Sequence, residues 1–275
     1  MTHSRPRIND LLAEHSLAPR RDLGQNFVAD PNTVRRIADL ARVGPRDRVV
    51  EIGAGLGSLT LALADTGATV TALEVDRGVV PVLREIVADR PNVEVIEGDA
   101  MRLDWSSTLD PHHQWVLVAN LPYNVATPLV CDLLDEVPQV QRILVMVQRE
   151  VAERFAAPVR TKGYGAVSVK AAYWGSARIV GLVPAAVFVP RPNVESALVE
   201  ITRHGPMPDH LAAADPEQLF TLVKTAFGQR RKMLRKSLSD VVQAEQFEAA
   251  DVVGTARPEE LDVDAWVRLA AIVNG

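Results

Sequence analysis

Short aliphatic runs alternate with helix-like segments from residue 48 onward, and this alternation constrains the fold more than any other feature of the chain. Each run is rich in Val, Ile and Leu, as expected of strands that are buried on both faces. Because strands and helices alternate over about a hundred residues, the sequence predicts a doubly wound parallel sheet. The runs are residues 48–53, 68–76, 92–100, 115–123 and 142–148.

The pattern changes after Arg149. Residues 183–203 contain two extended pieces around a Pro-rich turn, and residues 204–217 are rich in turn formers. Asp215 followed by Pro216 is a typical helix start, and the rest is patterned as helices, including one expected over residues 230–240. The expected organisation is an N-terminal cap segment of the catalytic domain at 1–47, a catalytic domain at 48–203 and a small helical domain at 204–275.

The composition is that of a globular chain, with 275 residues, 47% hydrophobic and 24% charged. Residues 179–190 form the longest apolar stretch, which contains two prolines and is too short to cross a bilayer. The N-terminus has no apolar segment of signal-peptide length. The single cysteine, Cys131, excludes an internal disulfide and suits a reducing compartment. We therefore expect a cytoplasmic protein with no membrane partner, and no metal site.

A glycine-rich turn follows the first aliphatic run. Gly53, Gly55 and Gly57 have the spacing Gly-x-Gly-x-Gly, whereas dinucleotide-binding proteins have Gly-x-Gly-x-x-Gly. Glu51, two positions before the first glycine, suits a ligand with an ammonium group better than one with a phosphate. On its own the motif is also compatible with a plain strand–helix turn.

Acidic residues follow the next two runs. In an open sheet, ligands bind outside the carboxyl ends of the strands, and a carboxylate such as Glu74 can accept hydrogen bonds from both hydroxyls of a ribose. Asp99 and Ala100 follow the third run, where they can bind the amino group of an adenine. Together with Glu51, these residues predict a pocket for an adenosine with a charged amino-acid tail, which is S-adenosyl-L-methionine.

The fourth run ends in Asn120-Leu121-Pro122-Tyr123. The exocyclic amine of adenine is a poor nucleophile because its lone pair is delocalised into the ring. The side-chain oxygen of Asn120 and the carbonyl of Leu121 can accept its two hydrogens and favour a pyramidal nitrogen. Pro122 fixes the turn, and Tyr123 offers a ring to stack on a base that has left its helix.

The ordered set of motifs resembles the small-subunit ribosomal RNA adenine dimethyltransferases of the KsgA type over nearly the whole chain. The resemblance implies a Rossmann-like class I methyltransferase sheet that uses S-adenosyl-L-methionine, with a small C-terminal helical domain. The substrate implied is 16S ribosomal RNA in the 30S subunit, dimethylated on two adjacent adenosines near its 3′ end during ribosome biogenesis. The matching segments are residues 23–28, 51–57, 74, 98–100, 120–124, 146–150, 163–165, 188–196 and 226–232.

The resemblance also implies roles for individual residues. Asn26 and Val28 would close over the cofactor, Asn120 would lie near the reacting methyl group, and Phe188 would stack on the target base opposite Tyr123. The expected catalytic residues are Asn120, Leu121, Pro122, Tyr123 and Phe188. The expected cofactor-binding residues are Gln25, Asn26, Val28, Glu51, Gly53, Gly55, Glu74, Asp99, Ala100 and Asn120. The sequence departs from the family at Asp22, where Ser or a basic residue is common, and at Val28, where Leu is usual.

A cluster of basic residues stands out in a chain whose net charge is −5. Residues 224–236 contain six basic residues and no acid, which indicates contact with the RNA backbone, although a solvated helix face is the usual meaning of such a run. Arg20 and Arg21 are expected to extend this surface. The six are Lys224, Arg230, Arg231, Lys232, Arg235 and Lys236.

Three other functions compete with this prediction. The macrolide-resistance methylases are similar but modify large-subunit RNA, and they favour Ile where this chain has Leu121. A ribosome-assembly or RNA-binding factor would keep the fold without needing intact motifs at residues 53–57 and 120–123. A dehydrogenase is disfavoured by the glycine spacing. Nothing in the sequence indicates an obligate dimer, so we expect a monomer.

Overall fold

The computed structural model describes residues 2–274, which divide into two compact units. The first contains the chain up to Ala152 together with Ile179–Ile201, and the second contains Glu153–Arg178 together with the chain from Thr202. The expected boundary at residue 203 lies close to the division after Ile201. The structure differs from the expected domains at residues 153–178, which belong to the second unit and not to the catalytic domain.

The first unit is built on a seven-stranded sheet with the order β4-β3-β2-β5-β6-β9-β7. Strands β2 to β6 pair in parallel, which confirms the predicted sheet. Two short strands, β1 and β8, pair antiparallel in a separate sheet. The strands are β1 Phe27–Val28, β2 Arg48–Ile52, β3 Thr69–Glu74, β4 Val93–Glu97, β5 Trp115–Asn120, β6 Val140–Gln148, β7 Gly175–Val183, β8 Phe188–Val189 and β9 Ser196–Arg203.

Helices such as α2 and α3 cover the sheet because each has an apolar face that packs against strand residues. In α2, for example, the carboxylate of Asp30 accepts hydrogen bonds from the first-turn N–H groups, and Val34, Ile37 and Ala41 are buried. The helices that begin in this unit are α1 Arg5–Glu14, α2 Pro31–Ala41, α3 Ser58–Asp65, α4 Val80–Ile86, α5 Trp105–Thr108, α6 Ala126–Glu136 and α7 Arg149–Phe155, and a 3₁₀ turn is formed by Ala185–Val187.

The second unit has its own apolar core around Trp266, which is fully buried. Tyr164 and Tyr173 belong to this core, and the Tyr164 hydroxyl donates a hydrogen bond to the carbonyl of Leu261. These contacts are the reason that residues 153–178 join the helical unit. Its helices are α8 Ala166–Trp174, α9 Pro216–Gly228, α10 Leu234–Ser237, α11 Ala244–Ala249 and α12 Val263–Asn274, with a 3₁₀ turn at Pro258–Glu260.

Two sequence predictions in this unit have different outcomes. The helix start at Asp215 is confirmed, because its carboxylate accepts a hydrogen bond from the N–H of Gln218. The helix expected over residues 230–240 is wrong, since only α10 forms there. The N–H groups of Leu234 and Arg235 donate to the carbonyls of Ala256 and Gly254, so the backbone bonds to a distant loop in place of a preceding helical turn.

Two features are absent from residues 2–274. No helix is both long and apolar enough to span a membrane. No group of three or more His, Cys, Asp or Glu side chains is arranged to hold a metal ion.

Candidate active site

Two adjoining pockets lie at the carboxyl ends of β2, β3, β4 and β5. The one with more lining residues, called the larger pocket for that reason, is lined by the glycine turn after β2, by Glu51 and Glu74, and by residues 120–123 after β5. The smaller one is lined by Asp99, Ala100 and Met101 after β4, and it shares several lining residues with the larger. The strand-end residues that the sequence predicts as a site are therefore brought together.

The glycine turn has a backbone that other residues adopt only with strain. Gly53, Gly55 and Gly57 have φ angles of +74°, +55° and +77°. A Cβ at Gly55 would come within 3.1 Å of the Phe27 ring, so this turn also depends on a close approach by the N-terminal part of the chain. Gly57 then precedes the first residue of α3.

Glu74 connects the end of β3 to the glycine turn. One carboxylate oxygen accepts the N–H of Gly55 at 2.7 Å, and the other accepts the N–H of Asp76 at 2.9 Å. Burial raises the pKa of Glu74, while these two N–H groups oppose that shift. The carboxylate is thus held in one orientation beside the pocket.

Glu51 is the most deeply buried acidic group in the larger pocket, at 1% exposure. Its Oε2 atom has no hydrogen-bond partner within the described chain. Burial raises the pKa of Glu51 to about 8. The nearby Thr60 hydroxyl lowers this pKa somewhat, although its geometry is not that of a normal hydrogen bond. A buried carboxyl group with one unpartnered oxygen beside a cavity fits a ligand that carries an ammonium group.

Asp99 lines the smaller pocket and also shapes the turn after β4. Its Oδ1 atom accepts the N–H of Met101 at 3.0 Å, and its Oδ2 atom lies 3.7 Å from the Arg102 guanidinium. Gly98 and Ala100, in the same turn, also line the pocket. This geometry leaves the edge of the pocket open to polar contacts with a planar base.

The loop formed by residues 20–28, which we call the N-terminal loop, covers one side of the larger pocket. Gly24 has a φ of +63°, and a Cβ there would come within 3.0 Å of the Pro122 side chain. The Asn26 side chain donates to the Gly24 carbonyl, and Val28 pairs with Phe188 between β1 and β8. The loop therefore touches both the glycine turn and the Asn120–Tyr123 segment.

Asn120 has a defined side-chain orientation at the end of β5. Its Nδ2 atom donates a hydrogen bond of 2.9 Å to the Asn26 carbonyl. The amide oxygen therefore points in another direction, so that it is the acceptor end of this side chain that remains for a ligand. The N–H of Leu121 donates to the Met146 carbonyl at 3.1 Å, which fixes the peptide that follows Asn120.

The aromatic side chains of Tyr123 and Phe188 both line the larger pocket but differ in how far they are buried. The hydroxyl groups of Tyr123 and the buried Ser196 are 2.8 Å apart and share a hydrogen bond, which fixes the Tyr123 ring. Phe188 is only 1% exposed, and Arg5 donates a hydrogen bond to its carbonyl. Stacking of a base on Phe188 would therefore require its ring to be uncovered.

The basic residues of the second unit differ in their surroundings. Lys224, Arg231 and Arg235 are exposed. Arg230 is half-buried, forms an ion pair with Glu259 and donates to the carbonyls of Thr161 and Lys162. Lys232 and Lys236 are also exposed, and the Lys232 ammonium donates to the Gln229 side chain.

Arg20 and Arg21 are exposed residues of the first unit. The Arg20 guanidinium forms a salt bridge of 2.5 Å with Asp22 and lies 4.0 Å from the Asp76 carboxylate. Asp22, the departure from the family pattern, therefore neutralises a neighbouring basic side chain.

Several residues around the pocket were not predicted from the sequence as site residues. Gly24, Ser196 and Asp76 each contact a predicted site residue or its segment. Asp76 had one signal, since it ends the same aliphatic run as Glu74. Gly24 and Ser196 lie within the family motifs, but nothing in those motifs states which contacts they make.

The sheet order and the strand-end pocket define a class I methyltransferase fold. The dimethyladenosine transferase from Plasmodium falciparum has the same fold, with a TM-score of 0.75 and 22% identity over 87% of this chain and 94% of that one. The 23S rRNA methyltransferase ErmE gives a TM-score of 0.68 and 26% identity, covering 90% of this chain and 100% of that one.

Sequence comparison identifies the family. The profile of the family described as ribosomal RNA adenine dimethylase matches residues 17–274. The chain is 43% identical over 280 residues to ribosomal RNA small subunit methyltransferase A of Bifidobacterium adolescentis, which covers 97% of this chain and 92% of that protein. It is 45% identical over 273 residues to the protein of that name from Paenarthrobacter aurescens, covering 96% and 91%.

The chain belongs to the ribosomal RNA adenine dimethylase family. The predicted family, fold class and enzyme activity, rRNA adenine dimethylation, are therefore confirmed. The dehydrogenase alternative, which the glycine spacing already disfavours, is excluded by the family profile that matches residues 17–274.

Proposed function

We propose that the protein transfers methyl groups from S-adenosyl-L-methionine to the exocyclic amines of two adjacent adenosines near the 3′ end of 16S ribosomal RNA, within the 30S subunit. The observation that carries this proposal is the orientation of Asn120, whose Nδ2 atom is bound to the Asn26 carbonyl so that its oxygen is left as an acceptor for an amine. The small-subunit RNA is preferred because the relatives at 43–45% identity are named for it, whereas ErmE is 26% identical.

The cofactor is assigned to the two adjoining pockets by the chemistry of their walls. Glu51, with its unpartnered oxygen, would bind the ammonium group beside Gly53 and Gly55. Glu74 would accept the ribose hydroxyls, and Asp99 with Ala100 would bind the adenine. When bound, S-adenosyl-L-methionine supplies a methyl group that is already activated by a sulfonium.

The N-terminal loop would close the cofactor side of the site. Asn26 and Val28 line the larger pocket, and Gln25 lies between Gly24 and Asn26 on the same wall. The Gly24 backbone packs against Pro122, so the loop is in contact with the segment that receives the target base. Its closure would exclude water from the reacting groups.

The target adenine would lie against the Asn120–Tyr123 segment. The Asn120 oxygen and the Leu121 carbonyl would accept the two amine hydrogens, so that the nitrogen lone pair could displace sulfur from the methyl group. The methylated nitrogen would lose its extra proton to solvent once the loop opens. Tyr123 provides the stacking surface, with Phe188 opposite it once its ring is uncovered. Pro122 fixes the turn. In the second transfer the monomethylated amine has one hydrogen left, which one of these two oxygens would accept.

The RNA backbone would be bound by exposed basic side chains of each unit. Arg230 would act mainly by fixing the loop that carries its neighbours, because its guanidinium is already bonded to Glu259 and to two carbonyls. We expect the protein to act as a monomer in the cytoplasm, where ribosomes assemble. The proposed RNA contacts are Arg20, Arg21, Lys224, Arg231, Lys232, Arg235 and Lys236.

The test uses 30S subunits from a strain that lacks the modification, together with labelled S-adenosyl-L-methionine. We expect two methyl groups on each of two adjacent adenosines, mapped by primer extension, and no label with Asn120→Ala. Asn32→Ala is the matched control, because Asn32 is an exposed residue at the start of α2. Label on 50S subunits would contradict the proposed substrate. If the protein bound the cofactor but labelled no subunit, it would act as an assembly factor and the proposed catalysis would be contradicted.

A further inference from the structure

The carboxylate of Asp76 holds the N-terminal loop to the end of β3. Asp76 is buried, at 7% exposure, although it stands only two residues beyond Glu74. Its Oδ1 atom accepts the N–H of Gly78 at 2.9 Å, and its Oδ2 atom accepts the Gln25 side-chain amide at 2.8 Å. The reaction described above gives this buried acid no direct part.

The Gln25 side chain is bonded at both ends. Its Nε2 atom donates to Asp76, and its Oε1 atom accepts the backbone N–H of Arg20 at 2.8 Å. The Gln25 N–H also donates to the Arg20 carbonyl at 3.1 Å, so the turn from Arg20 to Gln25 is closed on both sides. Gln25 thus acts on the loop itself, and its polar atoms are engaged without a ligand.

The residue after Gln25 connects this turn to the acceptor site. The Asn26 carbonyl accepts the hydrogen bond from the Asn120 side chain, at 2.9 Å. A shift of Asn26 would remove the contact that distinguishes the two ends of the Asn120 amide. The amide could then rotate and present its NH₂ group to the target amine, which repels it as one donor repels another.

We propose that Gln25 and Asp76 form a positioning pair that fixes the Asn26 carbonyl and, through it, the orientation of the Asn120 amide. This inference rests on the proposed function, since it requires the Asn120 oxygen to accept the target amine. Gln25, which the sequence predicts to bind the cofactor, acts in this proposal as a positioning residue. Displacement of reacting groups by about 1 Å can lower a rate on the order of 100-fold, so the pair has a measurable kinetic effect.

The donors and acceptors of the pair can be exchanged without a change in net charge. In Gln25→Glu, a second carboxylate faces Asp76 and the donor is lost. In Asp76→Asn, a single amide oxygen must serve the two donors Gly78 and Gln25. In the double variant, the residue 25 carboxylate accepts from Arg20 and from the new amide at 76, while the oxygen of that amide still accepts from Gly78. Every hydrogen bond of the wild-type pair then has a partner again.

The experiment measures kcat, the KM for S-adenosyl-L-methionine and the melting temperature of the wild type, both single variants and the double variant on 30S subunits. We expect Gln25→Glu to lower kcat by about 10- to 100-fold with a smaller change in KM, and the double variant to regain most of the loss. Asp89→Asn, at an exposed site, is the control for charge and should leave kcat unchanged.

Two outcomes would overturn the positioning pair. One is a Gln25→Glu variant with the kcat of the wild type. The other is a double variant with a normal melting temperature whose kcat is no higher than the value obtained by multiplying the fold-losses of the two single variants. A wild-type protein that methylates no subunit would contradict the proposed function instead, so the two failures are distinguishable.

Discussion

The carboxylate of Glu74 accepts a hydrogen bond of 2.7 Å from the N–H of Gly55, which ties the end of β3 to the glycine turn after β2. Its other oxygen is occupied by the N–H of Asp76. Both oxygens thus shape the pocket before any ligand is present. The hydroxyl groups of a bound ribose would donate hydrogen bonds to the Glu74 carboxylate, whose position is already fixed.

Replacing Glu74 with Gln should both destabilise the glycine turn and weaken cofactor binding. One of the two backbone N–H groups would face the new amide NH₂ group, and an unsatisfied buried donor costs about 1–3 kcal/mol. We expect cofactor affinity to fall by at least about 10-fold, because every 1.4 kcal/mol is a factor of ten in affinity. Calorimetry and denaturant unfolding measure the two effects.

Glu97→Gln is the matched control for this substitution. Glu97 ends the neighbouring strand β4, its side chain is 41% exposed, and it pairs with Arg77. We expect its unfolding free energy to stay within about 0.5 kcal/mol of the wild type. Equal cofactor affinity in the Glu74 and Glu97 variants would contradict the role given to Glu74.

A methyl group at Gly24 should impair activity through the contact between the N-terminal loop and Pro122. The φ of +63° and the 3.0 Å approach to the Pro122 side chain both oppose Gly24→Ala. The positive φ alone costs on the order of 1 kcal/mol. We expect kcat/KM to fall by at least about 10-fold, in line with the effect of misplaced reacting groups.

Gly44→Ala provides the comparison, because nothing lies within 4 Å of a Cβ there. Its kcat/KM on 30S subunits should equal that of the wild type. If Gly24→Ala were as active as Gly44→Ala, close packing of the loop on Pro122 would have no part in catalysis. The melting temperature of each variant separates a local effect from unfolding.

The sequence predicts those parts of the site that depend on local chemistry. Strands such as β2 and β5 are aliphatic because both of their faces are buried, and the strand-end positions of Glu51, Glu74 and Asn120 follow from that pattern. The hydrogen bond between Gln25 and Asp76 joins residues 51 apart in the chain, and no local pattern specifies it. Only the folded structure brings together groups at such separations.

The same reason explains the errors in the second unit. Tyr164 and Tyr173 are far in sequence from Trp266, so their shared core is not visible as a periodicity. Strand β7, at the edge of the first unit's sheet, is not predicted from the sequence either, because its burial does not alternate and much of it is exposed or half-buried. Local patterns therefore fail where burial depends on distant partners.

Cofactor binding should depend on pH through Glu51. Its pKa is raised to about 8 by burial, so the carboxyl group is mainly protonated at neutral pH in the free protein. An ammonium ligand favours the carboxylate, and affinity should therefore rise as the pH is raised towards 8, with release of a proton. Glu51→Gln should bind more weakly and lose this part of the pH dependence, as measured by calorimetry in buffers of different ionisation enthalpy.

Glu51 should also affect the stability of the free protein. Between the ordinary pKa of a glutamate and about 8, the folded state binds more protons than the unfolded state, so stability falls as the pH rises through this range. The slope from this one group is at most about 1.4 kcal/mol per pH unit. Denaturant unfolding of Glu51→Gln should lack that slope. A wild-type protein with the same pH dependence as the variant would contradict a raised pKa.

Arg230 and Arg231 are adjacent in the chain but should give opposite results when each is replaced with Ala. Arg230 is bonded to Glu259 and to two carbonyls, and the loss of hydrogen bonds of a charged group costs about 1–3 kcal/mol. Arg231 is exposed, so its replacement should change the unfolding free energy by less than about 0.5 kcal/mol. Its loss should instead weaken RNA binding and reduce the salt dependence of the affinity by about one counterion. Binding to a 16S RNA fragment at several salt concentrations separates the two roles, and an Arg231→Ala protein with an unchanged salt dependence would exclude Arg231 from the RNA surface.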